Sequence, residues 1–121
     1  MSNPYFEKMF FRAELTGYAA KAIKEKKEEL KPKHGLVGLS RVTQIILSEC
    51  YKLGLSDKIT QVDDDVTDEK IVFNCTAEGD AALAIGVKIE TVKSMFRIDR
   101  YGKKNATQML LCEYYKLKHG K

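Results

Sequence analysis

This chain of 121 residues has few cysteines and histidines, and none of them fall at metal-binding spacings. Cys50, Cys75 and Cys112 are an odd number, widely separated, with no C-x-x-C pair, and His34 and His119 stand far apart. That pattern argues against a zinc site and for buried, reduced thiols in a cytoplasmic protein. No apolar run approaches the roughly 18 residues that signal a membrane span, so no membrane association is expected. The first residues, MSNPYFEKMFF, lack the basic start and apolar stretch of a secretory signal. A Gly-rich phosphate loop, a nucleophile–base pair and an acidic pair with a partner base are all missing. The chain therefore does not read as an enzyme, and no cofactor is expected. Asp63, Asp64, Asp65, Asp68 and Glu69 form an acidic cluster without the spacing, central Gly or terminal Glu of an EF-hand loop, which argues against calcium.

A repeat is what the chain does have. Thr43 to Gly54 reads TQIILSECYKLG and Thr107 to Lys118 reads TQMLLCEYYKLK, identical at seven of twelve positions, at an offset of 64. Upstream, the run from Phe10 to Ile23 aligns with the run from Val72 to Ile85 at an offset of 62. Phe, Gly, three Ala and Ile coincide there. Two copies of one unit in so short a chain indicate a pseudo-dimer in a single domain. The unit boundaries are residues 6–54 and 70–119, joined by an acidic linker over 55–69. The composition is 44% hydrophobic, enough for one modest core, and the net charge of +4 permits an anionic partner.

Each copy reads strand, helix, helix. Met9, Phe11, Ala13 and Leu15 alternate with Lys8, Phe10, Arg12 and Glu14, and Ile71, Phe73, Cys75 and Ala77 alternate with Lys70, Val72, Asn74 and Thr76. A period of two over eight residues is the mark of a half-buried strand. Residues 4–30 alone could pass for one long helix. The β-branched and aromatic Ile71-Val72-Phe73 of the second copy argues for a strand in both. A helix follows over about Thr16 to Leu30, with Thr16 as N-cap and Pro32 as its stop. Its counterpart spans about Glu78 to Ile98, with a break or kink at Gly86. The repeated helix carries a stripe of Val42, Ile45, Ile46, Cys50 and Leu53, matched by Ala106, Met109, Leu110, Tyr114 and Leu117. Ser40 and either Lys104 or Asn105 are the expected starts of these helices, and Gly54 stops the first. The tyrosines Tyr18, Tyr51, Tyr101, Tyr114 and Tyr115 show no spacing that makes a stacking ladder.

The stretch Gly38-Leu39-Ser40-Arg41-Val42-Thr43-Gln44-Ile45 is similar to the G-x-S-R-S-x-x-I turn of the ribbon-helix-helix family of DNA-binding proteins. The whole chain resembles that family in its tandem, single-chain form, as in the relaxosome accessory proteins of F-type conjugative plasmids. Copy two departs from the turn, with Gly102-Lys103-Lys104-Asn105-Ala106. The resemblance implies a mainly α fold with a two-stranded antiparallel β-ribbon, β-α-α twice. It implies double-stranded DNA as partner, with the ribbon in the major groove. The outward residues Lys8, Phe10, Arg12, Lys70, Val72 and Asn74 then meet base edges. The second-helix N-termini, at Ser40, Arg41 and Val42 and at Lys103, Lys104 and Asn105, hold phosphates. The protein would serve as a transcriptional regulator or a DNA-processing accessory factor, a monomeric pseudo-dimer that can assemble further on DNA.

Two other readings stand beside it. Phe10 and Val72 are unusual on a base-reading surface and fit a protein-binding inhibitor or adaptor on the same frame. Residues 78–97, with Ala82, Gly86 and Val92, also fit a helix-turn-helix spacing that would turn Lys88, Glu90, Thr91, Lys93 and Arg97 toward DNA. The lysines Lys24, Lys26, Lys27, Lys31 and Lys33 interleave with Glu25, Glu28 and Glu29, the signature of a salt-bridged solvent face.

Overall fold

The computed structural model describes residues 8–35, 37–59 and 70–120. Along them run β1 (Met9–Thr16), α1 (Tyr18–His34), α2 (Leu39–Lys52), β2 (Lys70–Ala77), α3 (Asp80–Phe96) and α4 (Lys103–His119). The chain is mainly helical, β-α-α twice, with one two-stranded antiparallel sheet. The acidic run from Asp63 to Glu69 lies outside the described residues.

The strands pair as the alternation demands. Ala13, Leu15, Cys75 and Ala77 are buried, and Phe11, Ile71 and Phe73 pack half-buried against the core. The register sets Met9 opposite Ala77, Arg12 opposite Asn74 and Thr16 opposite Lys70. Arg12 and Asn74 are also equivalent positions of the repeat, 62 residues apart. A pseudo-two-fold axis therefore passes through that cross-strand pair. The helices obey the same symmetry. Helix α2 packs on β2 and α3 of the other copy, and α4 packs on β1 and α1. One strand and two helices expose too much apolar surface to be stable alone, and the interlocked copies cover each other.

Polar groups repeat across the axis too. Lys26 Nζ lies 2.9 Å from Glu49 Oε1, and the equivalent Lys88 Nζ lies 2.6 Å from Glu113 Oε1. The first pair is partly exposed; the second is fully buried, and Lys88 also donates to the Lys58 carbonyl at 2.6 Å. Tyr114 Oη donates to Glu49 Oε2 at 2.5 Å, joining the copies. Burial alone raises the Glu49 carboxyl, but the Tyr114 hydroxyl and the Lys26 ammonium outweigh it and hold the group below its ordinary value.

Several local expectations are corrected. Helix α1 starts at Tyr18, not Thr16: Thr16 ends β1 and Gly17 is the N-cap, with φ 57° and ψ −128°. Gly79 repeats this turn before α3 at φ 61° and ψ −133°. Strand must become helix within one residue, and that conformation is open only to glycine. Pro32 does not stop α1, which runs on to His34. Proline removes one bond to the Glu28 carbonyl, and both residues face solvent, where water satisfies it. Helix α3 is continuous through the buried Gly86 and starts at Asp80 rather than Glu78. The helix-turn-helix reading of residues 78–97 thus has no turn, and Lys88, assigned there to DNA, is in the core. Gly38 and Gly102, not Ser40, Lys104 or Asn105, are the N-caps of α2 and α4. Leu53 and Leu117 close the expected stripes but are exposed, and Leu53 lies just past α2 as its C-cap.

A candidate nucleic-acid interface on the ribbon

Opposite the core, the ribbon presents one continuous outer face. Its cross-strand pairs are Phe10 with Thr76, Arg12 with Asn74, Glu14 with Val72 and Thr16 with Lys70. Lys8 extends the row and lies 4.0 Å from Glu78. All six residues expected at base edges are therefore on one surface, and Lys8, Phe10, Arg12, Lys70, Val72 and Asn74 are each exposed. Lys8 and Lys70 are repeat equivalents and stand at opposite ends, about 27 Å apart at the usual strand rise. Phe10, 67% exposed, and its equivalent Val72, 37% exposed, flank the central pair. Lys8 Nζ stands 5.5 Å above the Phe10 ring.

The starts of α2 and α4 border this face, one on each edge. Ser40 Oγ accepts the Thr76 N–H at 2.9 Å, and Lys104, the equivalent position, lies 3.8 Å from Glu14. The first intrahelical bonds run from Val42 N–H to the Gly38 carbonyl and from Ala106 N–H to the Gly102 carbonyl. The N–H groups that precede them belong to Leu39, Ser40 and Arg41 and to Lys103, Lys104 and Asn105, and the N-cap residues, both glycine, have no side chain to cap them. Val42 is corrected here: its N–H is bonded and its side chain is buried, so it is a core residue and offers nothing to a phosphate. Arg41, Lys103, Lys104 and Asn105 are exposed. Thr43 and Thr107 each donate from Oγ1 to the carbonyl four residues back, at 2.8 Å in both helices, fixing two buried hydroxyls in the same way.

Sequence reasoning missed the role of Gln108. Its Oε1 accepts the Thr16 N–H and its Nε2 donates to the Thr16 carbonyl, both at 3.0 Å. A side-chain amide thus occupies the open edge at the end of β1, a device that keeps an edge strand from pairing with another chain. The identity of Gln44 and Gln108 was the only sequence signal at that position. Cys75 lies under the ribbon, its thiol pushed up to about 11 by burial against a smaller opposing effect of the Ser40 hydroxyl. It stays protonated and acts as a small apolar side chain.

Cations outnumber carboxylates on this surface. The arrangement can offer one guanidinium, one amide and two ammonium groups to base edges, and two helix N-termini to anions. Among the described residues, no His, Cys, Asp and Glu side chains gather into a metal-binding group, and no helix is long and apolar enough to cross a membrane. Comparison of the chain with protein-family models, with curated proteins and with solved structures gave no match.

Proposed function

We propose that the protein is a tandem ribbon-helix-helix factor that binds double-stranded DNA sequence-specifically, as a transcriptional regulator or DNA-processing accessory factor. The observation that carries this reading is the exposed Arg12–Asn74 pair on the pseudo-two-fold axis, between two helix N-termini whose N-caps are glycines. A two-stranded ribbon fits the major groove. Arg12 is suited to guanine O6 and N7, and Asn74 to adenine N6 and N7, each pair worth about 1–3 kcal/mol of discrimination. Because these two central residues differ, the bound sequence is not a palindrome. The N-terminal N–H groups of α2 and α4, with Arg41, Lys103 and Lys104, grip phosphates and set the register. The Lys104–Glu14 contact is a surface pair worth at most about 1 kcal/mol and gives way to a phosphate.

The test is fluorescence anisotropy with random and selected duplexes across a salt series. Affinity should fall linearly on a log–log plot, and Arg41→Ala should make the slope shallower by about one. Arg12→Ala and Asn74→Ala should erode discrimination between duplexes more than overall affinity. A uniform loss across all sequences would refute the base-reading assignment. The exposure of Phe10 and Val72 favours a second reading, a protein partner on the same face. Absence of any duplex binding at low salt would select it.

A further inference from the structure

The pseudo-symmetry makes two corners of the molecule comparable, and they differ. At one, Tyr18 at the start of α1 stacks on Tyr115 near the end of α4, ring centroids 5.0 Å apart and planes 14° off parallel. The His119 ring lies 4.3 Å from Tyr115, and its Nε2 is 2.8 Å from Glu25 Oε1. Tyr115 is left 8% exposed. At the other corner the repeat equivalents are Tyr51 for Tyr115, Asp80 for Tyr18 and Val87 for Glu25, and α2 ends at Lys52, so no helical residue stands where His119 does. A carboxylate replaces the stacking ring. Tyr51 is 38% exposed, and a cavity of about 580 Å³ opens between the end of α2, the turn after it and the start of α3.

That volume suits a small organic ligand. Tyr51, Lys52, Ser56, Asp57, Asp80 and Val87 form its wall. Two carboxylates against one ammonium favour a cation, and the exposed tyrosine offers a flat aromatic surface. Ser56 is 3% exposed, and its hydroxyl oxygen has no hydrogen-bond partner among the described residues. A buried hydroxyl left in this way marks a place where a polar atom is expected.

We propose that this cavity binds a small aromatic amine. The ring lies on Tyr51, in the place Tyr18 holds at the equivalent corner. The ammonium is held by Asp80 and Asp57, and a polar atom of the ligand meets the Ser56 hydroxyl. The site stands on the fold alone, whatever the ribbon binds.

The probe is tyramine, with 4-hydroxyphenylacetate as the anion of similar shape, titrated into the full ¹⁵N-labelled chain. Tyramine should give saturable shifts confined to residues 51–57 and 80–87, and the anion should bind at least tenfold more weakly. Asp80→Asn should weaken tyramine at least tenfold with the rest of the spectrum unchanged. Asp80→Tyr should refill the corner and abolish binding. Equal binding of amine and anion, shifts elsewhere, no saturation, or unchanged affinity in Asp80→Asn would each overturn the proposal.

Discussion

At the scale of single residues, the two copies use the same ion pair in two environments. Lys26–Glu49 keeps contact with water, whereas Lys88–Glu113 has none. Desolvating two charges costs about as much as their attraction returns, so a buried pair adds little net stability. Breaking it is another matter, because the orphaned charge remains in the core. Lys88→Met should therefore lower unfolding free energy by about 3–5 kcal/mol in urea titrations, and adding Glu113→Leu should recover most of that loss. A double variant no more stable than the single one would show that the pair itself, and not the orphaned carboxylate, carries the energy. Cys50 belongs to the same neighbourhood: burial, with Glu113 and Glu49 adding to it, drives its thiol far above the ordinary range, and its Sγ donates to the Leu110 carbonyl at 3.7 Å. It is a packing residue, not a nucleophile.

At the scale of elements, the strand-to-helix turns are the most constrained backbone in the fold. Gly17 and Gly79 hold nearly the same positive-φ conformation, and no heavy atom would crowd a Cβ at Gly79. At Gly79 the strain of a side chain is thus conformational, not steric crowding by neighbours. Gly79→Ala should destabilise by about 1–3 kcal/mol in thermal or denaturant unfolding, and Gly17→Ala, where the added Cβ must also fit a buried position, by at least as much. Strand alternation and the repeated helices were legible because period-two and helical stripes survive in sequence. Element boundaries were not. Thr16 looked like a cap because threonine often is one, but Gln108, distant in sequence, holds its backbone in the ribbon. Gly86 looked like a break because glycine is a poor helix former, yet burial of α3 against α2 outweighs a propensity cost of about 1 kcal/mol.

At the scale of the whole molecule, neither copy owns a complete core. Each second helix rests on the other copy's strand and first helix. Residues 1–59 and 60–121 produced as separate chains should each lack a monomeric cooperative transition. Mixed, they should form a one-to-one complex whose melting temperature rises with concentration, measurable by sedimentation and by calorimetry at two concentrations. A half that folds alone as a monomer would contradict the interlocked packing. The tyrosine corner shows the limit of reading the chain in one dimension. Tyr18 and Tyr115 stack although 97 positions separate them, and no spacing rule joins them.

The sequence by itself determined the duplicated β-α-α order, the two faces of each strand and the residues that reach the outer face of the ribbon, because local periodicity decides which side chains share a surface. Only the tertiary structure decided the register that sets Arg12 against Asn74, the exchange of helices between copies, and the asymmetry that leaves one corner filled and the other open. Those features depend on contacts between residues far apart in the chain, and a repeat offset cannot say which of two equivalent positions a neighbour will fill.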